Sequence, residues 1–339
     1  MGKKLKIGII GAGRIGKLHS ENIVNNFKDI EIKAIADIFA DKIEDWARSI
    51  GIQNIYEDYH DILNDEEIEA VLICSSTNTH ARITIEAANR GKHIFCEKPI
   101  DFDVNKIKEA LNVVNKAGVK FQIGFNRRFD HNFKKVHELV KSGKIGEPHI
   151  IKVTSRDPQA PPIDYVKVSG GMFIDMTIHD FDMVRYLSDS EVEEVYTNAA
   201  VLVDPQIGEV GDVDTAIISL KFKNGAIGVI DNSRSAAYGY DQRVEVFGSL
   251  GAVTVSNDTE TTAVLHTVDG ILSDNPKYFF LERYKDSFIE EMREFFDSII
   301  NDTETPVTGI DGLKPVLIGM AAKKSYEENK PIRLDEITV

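Results

Sequence analysis

Cysteine, tryptophan and basic residues are scarce in this 339-residue chain. It contains two cysteines, Cys74 and Cys96, and one tryptophan. Each cysteine lies at the end of an apolar run, which is typical of a buried thiol and excludes a framework of several disulfides. Lys and Arg number 40 against 55 Asp and Glu, so the formal net charge is −15. Because such a charge is repelled by phosphate backbones and anionic lipids, we expect neither nucleic acid nor a membrane as a partner.

Long apolar runs are absent as well. No segment reaches the ~20 apolar residues of a membrane-spanning helix. Arg14 interrupts the short apolar run that starts at Ile7, and no signal-cleavage pattern follows it. We therefore expect a cytoplasmic protein. Hydrophobic residues make up 42% of the chain and charged residues 28%, which predicts a packed globular protein, and its length favours two domains.

Short β-branched runs alternate with helical patterns in the first third of the chain. Strands alternating with helices are typical of a doubly wound parallel sheet of the α/β class. We therefore predict a Rossmann domain over residues 1–125. Its expected strands are residues 5–10, 30–36, 54–56, 70–73, 93–96 and 120–123.

Beyond residue 125 the pattern changes to longer alternating runs separated by turn signals such as Lys223-Asn224-Gly225. This change predicts a second domain over residues 126–339, of the α+β class, with a large, open, mostly antiparallel sheet. Two late helices are expected at 281–300 and 312–329. Because helices cover only one face of such a sheet, we expect another subunit on the other face.

A glycine-rich motif of the form G-x-G-x-x-G lies between the first predicted strand and the first helix, where backbone N–H groups can approach a pyrophosphate. Its residues are Gly11, Gly13, Arg14, Ile15 and Gly16. Asp37 ends the second strand, 21 residues after Gly16, where a carboxylate binds ribose hydroxyls and repels a 2′-phosphate. NAD is therefore favoured over NADP. The alternative is that the glycines only permit close packing and Asp37 only caps the next helix.

Small polar residues follow the fourth predicted strand, at the carboxyl edge of the sheet, where open α/β sheets bind their ligands. We expect this loop to line the ribose and nicotinamide. Its candidate residues are Ser75, Thr77, Asn78 and His80. Alternatively, Thr77 or Asn78 serves as the N-cap of the helix that follows.

Oxidation of a secondary alcohol requires a base for the hydroxyl proton and a donor or cation for the developing alkoxide. Lys98 follows the fifth strand in Glu97-Lys98-Pro99, where Pro99 favours extended backbone. We expect Glu97 and Lys98 to line the cofactor, with the Lys98 ammonium near the nicotinamide. A solvated surface lysine is the alternative.

Asp175 and His179 lie four residues apart, so on one helix both would fall on the same face. A histidine oriented by a carboxylate is a candidate general base. The alternative is that Asp175 caps the helix and His179 is a buried histidine in the core.

The glycine motif, Glu97-Lys98-Pro99, and the Asp175 and His179 pair after Gly170-Gly171 together resemble the glucose-fructose oxidoreductase, inositol dehydrogenase and rhizopine-catabolism superfamily. The resemblance covers essentially the whole chain. Residues 124–130, 154–158 and 238–241 are similar, within that superfamily, to the bacterial myo-inositol 2-dehydrogenases.

This resemblance implies that Lys98, Asp175 and His179 form a catalytic triad, in which His179 takes the hydroxyl proton as hydride leaves for NAD. It implies polyol contacts from Asn126, Arg127, Asp157 and Tyr238, although residues 155–157 depart from the His and Asn combination of some members. The implied reaction is oxidation of myo-inositol to the 2-keto inosose, and the implied assembly is a homotetramer. Another inositol isomer such as scyllo-inositol, a pyranose sugar, or a non-catalytic sugar sensor that binds NAD remain alternatives.

Overall fold

The computed structural model describes residues 4–337, which divide into two compact units. The first unit contains residues 4–126 and Phe288–Lys314, and the second contains Arg127–Ser287 and 315–337. The sequence-based boundary assigned all of 126–339 to one domain, so segment Phe288–Lys314 lies in the other unit from the one expected. The reason is packing: Met292, Phe295 and Phe296 are buried in the same core as Ile9 and Leu72.

A six-stranded sheet forms the centre of the first unit. Its strands are β1 (Leu5–Ile10), β2 (Ile30–Ala36), β3 (Asn54–Tyr56), β4 (Ala70–Ile73), β5 (His93–Cys96) and β6 (Phe121–Ile123). They lie in the order β3-β2-β1-β4-β5-β6, and all neighbouring pairs are parallel. The order reverses between β1 and β4, which is where open α/β sheets bind ligands. The predicted Rossmann fold is confirmed.

The helices that connect these strands are α1 (Arg14–Asn26), α2 (Ala40–Ser49), α3 (His60–Leu63), α4 (Thr77–Asn89) and α5 (Val104–Ala117). α5 illustrates how the local sequence sets their limits. The Asp103 carboxylate accepts a hydrogen bond from the Asn105 N–H at its start, and Gly118 ends it with a left-handed φ of 67°. The apolar residues between these ends face the sheet because they recur at helical spacing.

The second unit begins within a 3₁₀ helix, Asn126–Phe129, and contains a seven-stranded sheet. Its next elements are α6 (His131–Lys141), β7 (Pro148–Arg156), α7 (Ile163–Val166), α8 (Met172–Asp175), α9 (Ile178–Ser188), β8 (Val192–Ala200), α10 (Pro205–Glu209), β9 (Thr215–Phe222), β10 (Ile227–Ser233), β11 (Asp241–Gly248) and β12 (Gly251–Val255). The last elements of the chain are β13 (Val264–Thr267), β14 (Gly270–Ser273), α11 (Phe280–Arg283), α12 (Lys285–Ile300), α13 (Gly309–Glu328), β15 (Ile332–Arg333) and the 3₁₀ helix Leu334–Glu336.

The seven strands lie in the order β12-β11-β7-β10-β9-β8-β15, and β13 and β14 form a separate hairpin. All pairs in the large sheet are antiparallel except β7 with β10. The exception follows from topology, because β7 lies between β10 and β11, which run in opposite directions. The prediction of a mostly antiparallel sheet is confirmed, with this one parallel pair added.

One face of the large sheet is covered by helices of the same unit, including α6 and α9. The opposite face carries apolar side chains that remain accessible: Ile217, Ile227 and Phe247 are 44%, 52% and 45% exposed. Residues alternate between the two faces along each strand. Across residues 4–337, every helix is too short or too polar to span a lipid bilayer.

Candidate active site

The glycine motif forms the turn between β1 and α1, as its spacing predicts. Gly11 has a φ of 94°, and a Cβ there would lie 2.6 Å from the Ser75 backbone. A Cβ on Gly16 would lie 2.0 Å from the Gly11 carbonyl oxygen, so both positions require glycine. Gly13, at the N-cap of α1, differs because a Cβ there would meet no protein atom within 4 Å. The protein thus leaves open space beside the N–H groups that begin α1.

Asp37 is held against this turn by the backbone. Its Oδ2 accepts a hydrogen bond of 2.7 Å from the Ala12 N–H, and its Oδ1 accepts one of 2.9 Å from the Phe39 N–H. Each carboxylate oxygen has a second lone pair for a ligand hydroxyl. Ile38 follows directly and is 72% exposed, so its side chain offers no positive charge to a 2′-phosphate. The geometry fits the ribose of NAD.

The loop after β4 contains the other residues expected to line the cofactor. The N-cap of α4 is Ser76 and makes no side-chain cap bond, so capping by Thr77 or Asn78 is excluded. The hydroxyls of Ser75 and Thr79 lie 2.7 Å apart. His80 is buried, and its two ring nitrogens lie 2.9 Å from the carbonyl oxygens of Pro99 and Ser75. His80 therefore ties two loops together, a role that the sequence did not suggest.

Glu97 and Lys98 directly follow β5, at the same carboxyl edge of the sheet. The Glu97 N–H donates to the Ile73 carbonyl, which continues the pairing with β4 by one residue. Glu97 Oε1 lies 2.9 Å from His19 Nε2 of α1. Asn126, which ends the first segment of this unit, is 5% exposed. The first unit thus contains the predicted cofactor residues together with Lys98 and Asn126.

The second unit contains the other two residues of the expected triad. Asp175 ends α8 and His179 lies in the first turn of α9, so the single helix expected for them is wrong. Met176 and Thr177 separate the two helices. The buried Thr177 hydroxyl donates a hydrogen bond to Asn232 Oδ1 at 2.7 Å. Both Asp175 and His179 remain partly exposed to solvent.

Asp175 is held by two neighbours from outside α8. The Tyr165 hydroxyl donates to its Oδ1 at 2.7 Å, and Nη1 of Arg234 lies 3.5 Å from its Oδ2. Arg234 is 1% exposed, and its Nε and Nη2 have no hydrogen-bond partner among residues 4–337. No sequence signal marks Arg234, because it is an isolated basic residue after β10.

Arg127 is anchored by side chains of its own unit. Its Nη1 donates to Asp180 Oδ1 at 2.6 Å, and its Nη2 lies 3.3 Å from both Ser155 Oγ and the Tyr240 hydroxyl. Asn232 donates to the other oxygen of Asp180 at 2.9 Å. Burial raises the pKa of Asp180 against the opposing attraction of Arg127. Asp180 and Asn232 are further polar residues that the sequence did not single out.

Asp157 and Tyr238 lie in different surroundings. Burial raises the pKa of Asp157 to about 6, and the attraction of Arg234 opposes that rise. The Tyr238 hydroxyl donates to Asp241 Oδ2 at 2.6 Å and accepts from Arg156 Nη1 at 3.2 Å. Arg156 points to the opposite face of β7 from Ser155, whose hydroxyl contacts Arg127. The structure therefore places the Tyr238 hydroxyl with the Arg156 face and away from Arg127.

Comparisons with known families cover both units. A model described as an oxidoreductase family with an NAD-binding Rossmann fold matches residues 5–125. A model of the GFO/IDH/MocA C-terminal domain matches residues 133–254.

Two curated relatives match almost the full chain. An uncharacterized oxidoreductase, YrbE, of Bacillus subtilis is 53% identical over 99% of this chain and 98% of that protein. Myo-inositol 2-dehydrogenase of Thermotoga maritima is 49% identical over 98% of this chain and 99% of that protein. The resemblance inferred from the sequence motifs is thereby confirmed.

Solved structures of similar proteins also match almost the full chain. A probable dehydrogenase from Thermotoga maritima has a TM-score of 0.96 at 49% identity, covering 98% of this chain and 100% of that one. Scyllo-inositol dehydrogenase from Lactobacillus casei, solved with NAD(H) and scyllo-inositol, has a TM-score of 0.92 at 29% identity, again over 98% and 100%.

Proposed function

Because the chain belongs to the GFO/IDH/MocA family of NAD-binding oxidoreductases, we propose that it oxidises myo-inositol to 2-keto-myo-inositol. The observation that carries this proposal is the 49% identity to a myo-inositol 2-dehydrogenase over nearly the whole of both chains. Fold alone would not decide the substrate, since one fold hosts many activities.

The residues of the first unit support NAD as the cofactor. The N–H groups at the start of α1 bind the pyrophosphate in the space left by Gly13, and Asp37 binds the ribose hydroxyls. Ser75, Thr77 and Asn78 are proposed to contact the cofactor further along the same sheet edge. Bound NAD supplies the nicotinamide ring that accepts the hydride.

The chemistry assigned to the protein is proton transfer and charge stabilisation. His179 accepts the hydroxyl proton as the C–H hydrogen of the same carbon leaves as hydride. The Lys98 ammonium stabilises the negative charge that develops on the alcohol oxygen. Asp175 orients His179 and balances its positive charge, and is itself held by Tyr165 and Arg234.

Polyol recognition is assigned to Asn126, Arg127, Asp157 and Tyr238. The fixed guanidinium of Arg127 supports this assignment because its position does not depend on the substrate. With a pKa of about 6, the Asp157 carboxyl group is mostly ionised at neutral pH, so it can accept hydrogen bonds from the hydroxyls of a polyol. Because its hydroxyl proton is donated to Asp241, Tyr238 can offer a polyol only the remaining lone pair of its oxygen.

Scyllo-inositol is the second candidate substrate. It is favoured by the close structural likeness to the Lactobacillus casei scyllo-inositol dehydrogenase. The two isomers differ only in the configuration at one carbon, so the same residues could serve both.

A panel of inositol isomers and pyranose sugars with NAD, followed by NADH absorbance, tests these proposals. We expect the highest kcat/KM for myo-inositol and a loss of about 10²–10⁴ in kcat for Lys98→Ala and His179→Ala. Lys106→Ala, at a surface lysine of α5, is the matched control. A higher kcat/KM for scyllo-inositol would transfer the assignment to that isomer. NAD binding without turnover of any polyol would favour a sensor.

We also propose that the protein is located in the cytoplasm and that it assembles as a homotetramer. Cys74 and Cys96 are free thiols, as is usual in a reducing compartment. The exposed apolar face of the seven-stranded sheet supports a subunit interface. Light scattering that gives the mass of a single chain would contradict the tetramer.

A further inference from the structure

Three titratable side chains meet inside the first unit. They are His19 of α1, Glu97 after β5 and Glu291 of α12, and one polar atom from each lies within 4.8 Å of the others. His19 and Glu291 are 0% exposed. The proposed mechanism uses neither of these two residues, although burial of ionisable groups is costly unless they are paired.

The surroundings of His19 determine which ring nitrogen carries its proton. Nε2 lies 2.9 Å from Glu97 Oε1, whereas the buried Nδ1 has no hydrogen-bond partner in the described chain. Phe95 and Phe288 pack against the His19 ring in T-shaped arrangements, at centroid distances of 5.3 and 5.9 Å. A proton on Nδ1 would be a buried donor without an acceptor. The stable tautomer therefore carries its proton on Nε2 and donates it to Glu97.

Glu291 is the least satisfied member of the cluster. Neither of its carboxyl oxygens has a hydrogen-bond partner among residues 4–337, and its Oε1 lies 3.8 Å from His19 Nε2. Burial raises its pKa well above the ordinary value, and the charge of Glu97 raises it further. Two carboxyl groups this close in a buried site do not both ionise readily.

The geometry of these three side chains fits a protonated carboxyl group better than a bound metal ion. A histidine that binds a metal nearly always donates its other N–H to a partner, and His19 Nδ1 has none within residues 4–337. The 2.9 Å between His19 Nε2 and Glu97 Oε1 is also an ordinary hydrogen-bond length.

The cluster lies directly beside residues assigned to the reaction. His19 is three residues beyond Gly16, and Lys98 directly follows Glu97. Space around Glu97 is restricted, since a Cβ on Gly124 would lie 2.9 Å from Glu97 Oε2. The Gln122 amide of β6 donates to the Glu291 carbonyl oxygen at 2.8 Å, which fixes α12 at this edge of the sheet.

We propose that His19 is a positioning residue that holds the Glu97 carboxylate, and through it Lys98, in one arrangement beside the glycine turn, and that Glu291 supports this arrangement by staying protonated, so that no second carboxylate repels Glu97. Glu97 accepts the His19 Nε2–H, and the cluster carries a single negative charge. The consequence for activity rests on the proposed role of Lys98.

Infrared difference spectroscopy tests the protonated carboxyl group without relying on turnover. We expect the wild-type protein at neutral pH to show the carbonyl stretch of a buried carboxylic acid, shifted in D₂O and absent from Glu291→Gln. A band that is missing from the wild type, or unchanged in that variant, would overturn the proposal. A stoichiometric divalent metal found by elemental analysis of the purified protein would overturn it too.

Steady-state kinetics test positioning. Glutamine has the shape of a neutral glutamic acid, so Glu291→Gln should keep kcat within about threefold while Glu291→Leu lowers it about tenfold or more. His19→Gln keeps a donor near the Nε2 position and should restore most of the kcat lost in His19→Leu. KM for NAD should change little in all four.

The pattern of results separates this proposal from a purely structural role. If His19→Leu loses thermal stability but keeps the wild-type kcat, His19 has no positioning role. Equal kcat in Glu291→Gln and Glu291→Leu would also contradict it. If the wild-type protein oxidises no polyol, the proposed function fails on its own, while the infrared measurement still decides the state of the cluster.

Discussion

The open position at Gly13 gives a test of cofactor binding at the scale of one residue. Gly13→Ala adds a methyl group that meets no protein atom within 4 Å, at a residue with an ordinary φ of −68°. We expect unchanged thermal stability but a rise in KM for NAD of about tenfold or more, because the methyl group occupies the path of the pyrophosphate.

Gly251→Ala is the matched control, since its Cβ would also lie in open space, in the other unit. That variant should change neither thermal stability nor KM. An unchanged KM for NAD in Gly13→Ala would mean that the pyrophosphate does not pass this position.

Asp157 predicts a pH dependence of stability. Its pKa rises from 3.8 to about 6 because the carboxyl group is buried, so the folded protein holds this proton more tightly than the unfolded chain does. The resulting stabilisation is complete below about pH 4 and is lost as the pH rises through 6. Arg234 and Arg127 act against this shift, whereas Asp175 and Asp180 add to it.

Urea unfolding of Asp157→Asn between pH 4 and 8 measures this effect. Relative to the wild type, the variant should gain about 2–3 kcal/mol in free energy of unfolding from the low to the high end of the range. Asp164→Asn, at an exposed aspartate of α7, serves as the control and should follow the wild-type curve. Parallel curves for Asp157→Asn and the wild type would refute the assignment.

At the scale of elements, the Thr177 side chain anchors the break between α8 and α9 to β10. Thr177→Val removes the hydroxyl that donates to Asn232 and leaves a buried amide oxygen without that partner. We expect a loss of about 1–3 kcal/mol in free energy of unfolding, together with a lower kcat, because Asp175 and His179 flank the break. Chemical denaturation and NADH assays measure the two effects.

Thr177→Ser keeps the hydroxyl and should retain most of both stability and kcat. If the serine and valine variants lose stability equally, the hydroxyl is not what holds the break.

The strands were predictable because the pattern that marks each strand lies within a few consecutive residues. The first five strands of the first unit have the limits that their β-branched runs indicate, and Gly118 ends α5 where a C-terminal cap was expected. The helix break at Thr177 was not predictable, because the partner of the Thr177 hydroxyl, Asn232 on β10, is 55 residues away. Local periodicity contains no information about such a contact.

The residues of the candidate site also fall into those that a local motif predicts and those that it does not. The glycine turn and Asp37 follow from a local motif, and the structure fixes them as the motif requires. Arg234 and Glu291 gave no signal, because a single arginine or a glutamate on an amphipathic helix looks like a solvated surface residue. Only the fold shows that both are buried.

At the scale of the whole molecule, the first unit depends on a segment distant in the sequence. Phe295 of α12 is fully buried and packs against Phe95 of β5 at a centroid distance of 5.9 Å. The spacing of apolar residues in α12 indicates a buried helix face but does not indicate which sheet that face packs against. The sequence-based boundary therefore assigned α12 to the second domain.

Phe295→Ala should therefore destabilise the first unit by about 3–5 kcal/mol, through lost burial and the cavity left behind. Hydrogen exchange of β1 and β4 amides reports this loss in the unit concerned. Phe102→Ala, at a side chain that is 37% exposed, should have a much smaller effect. Exchange that accelerates only in the second unit would contradict the packing described.

The discontinuity of the first unit also affects how the chain is made. A ribosome synthesises residues 4–126 first, yet the core of that unit stays incomplete until α12 has emerged. At about 5–20 residues per second, the intervening segment takes on the order of ten seconds to translate. During this interval Phe95 lacks the α12 side chain, Phe295, that packs against it in the folded unit. Until α12 emerges, the newborn polypeptide therefore exposes apolar surface of the kind that chaperones bind.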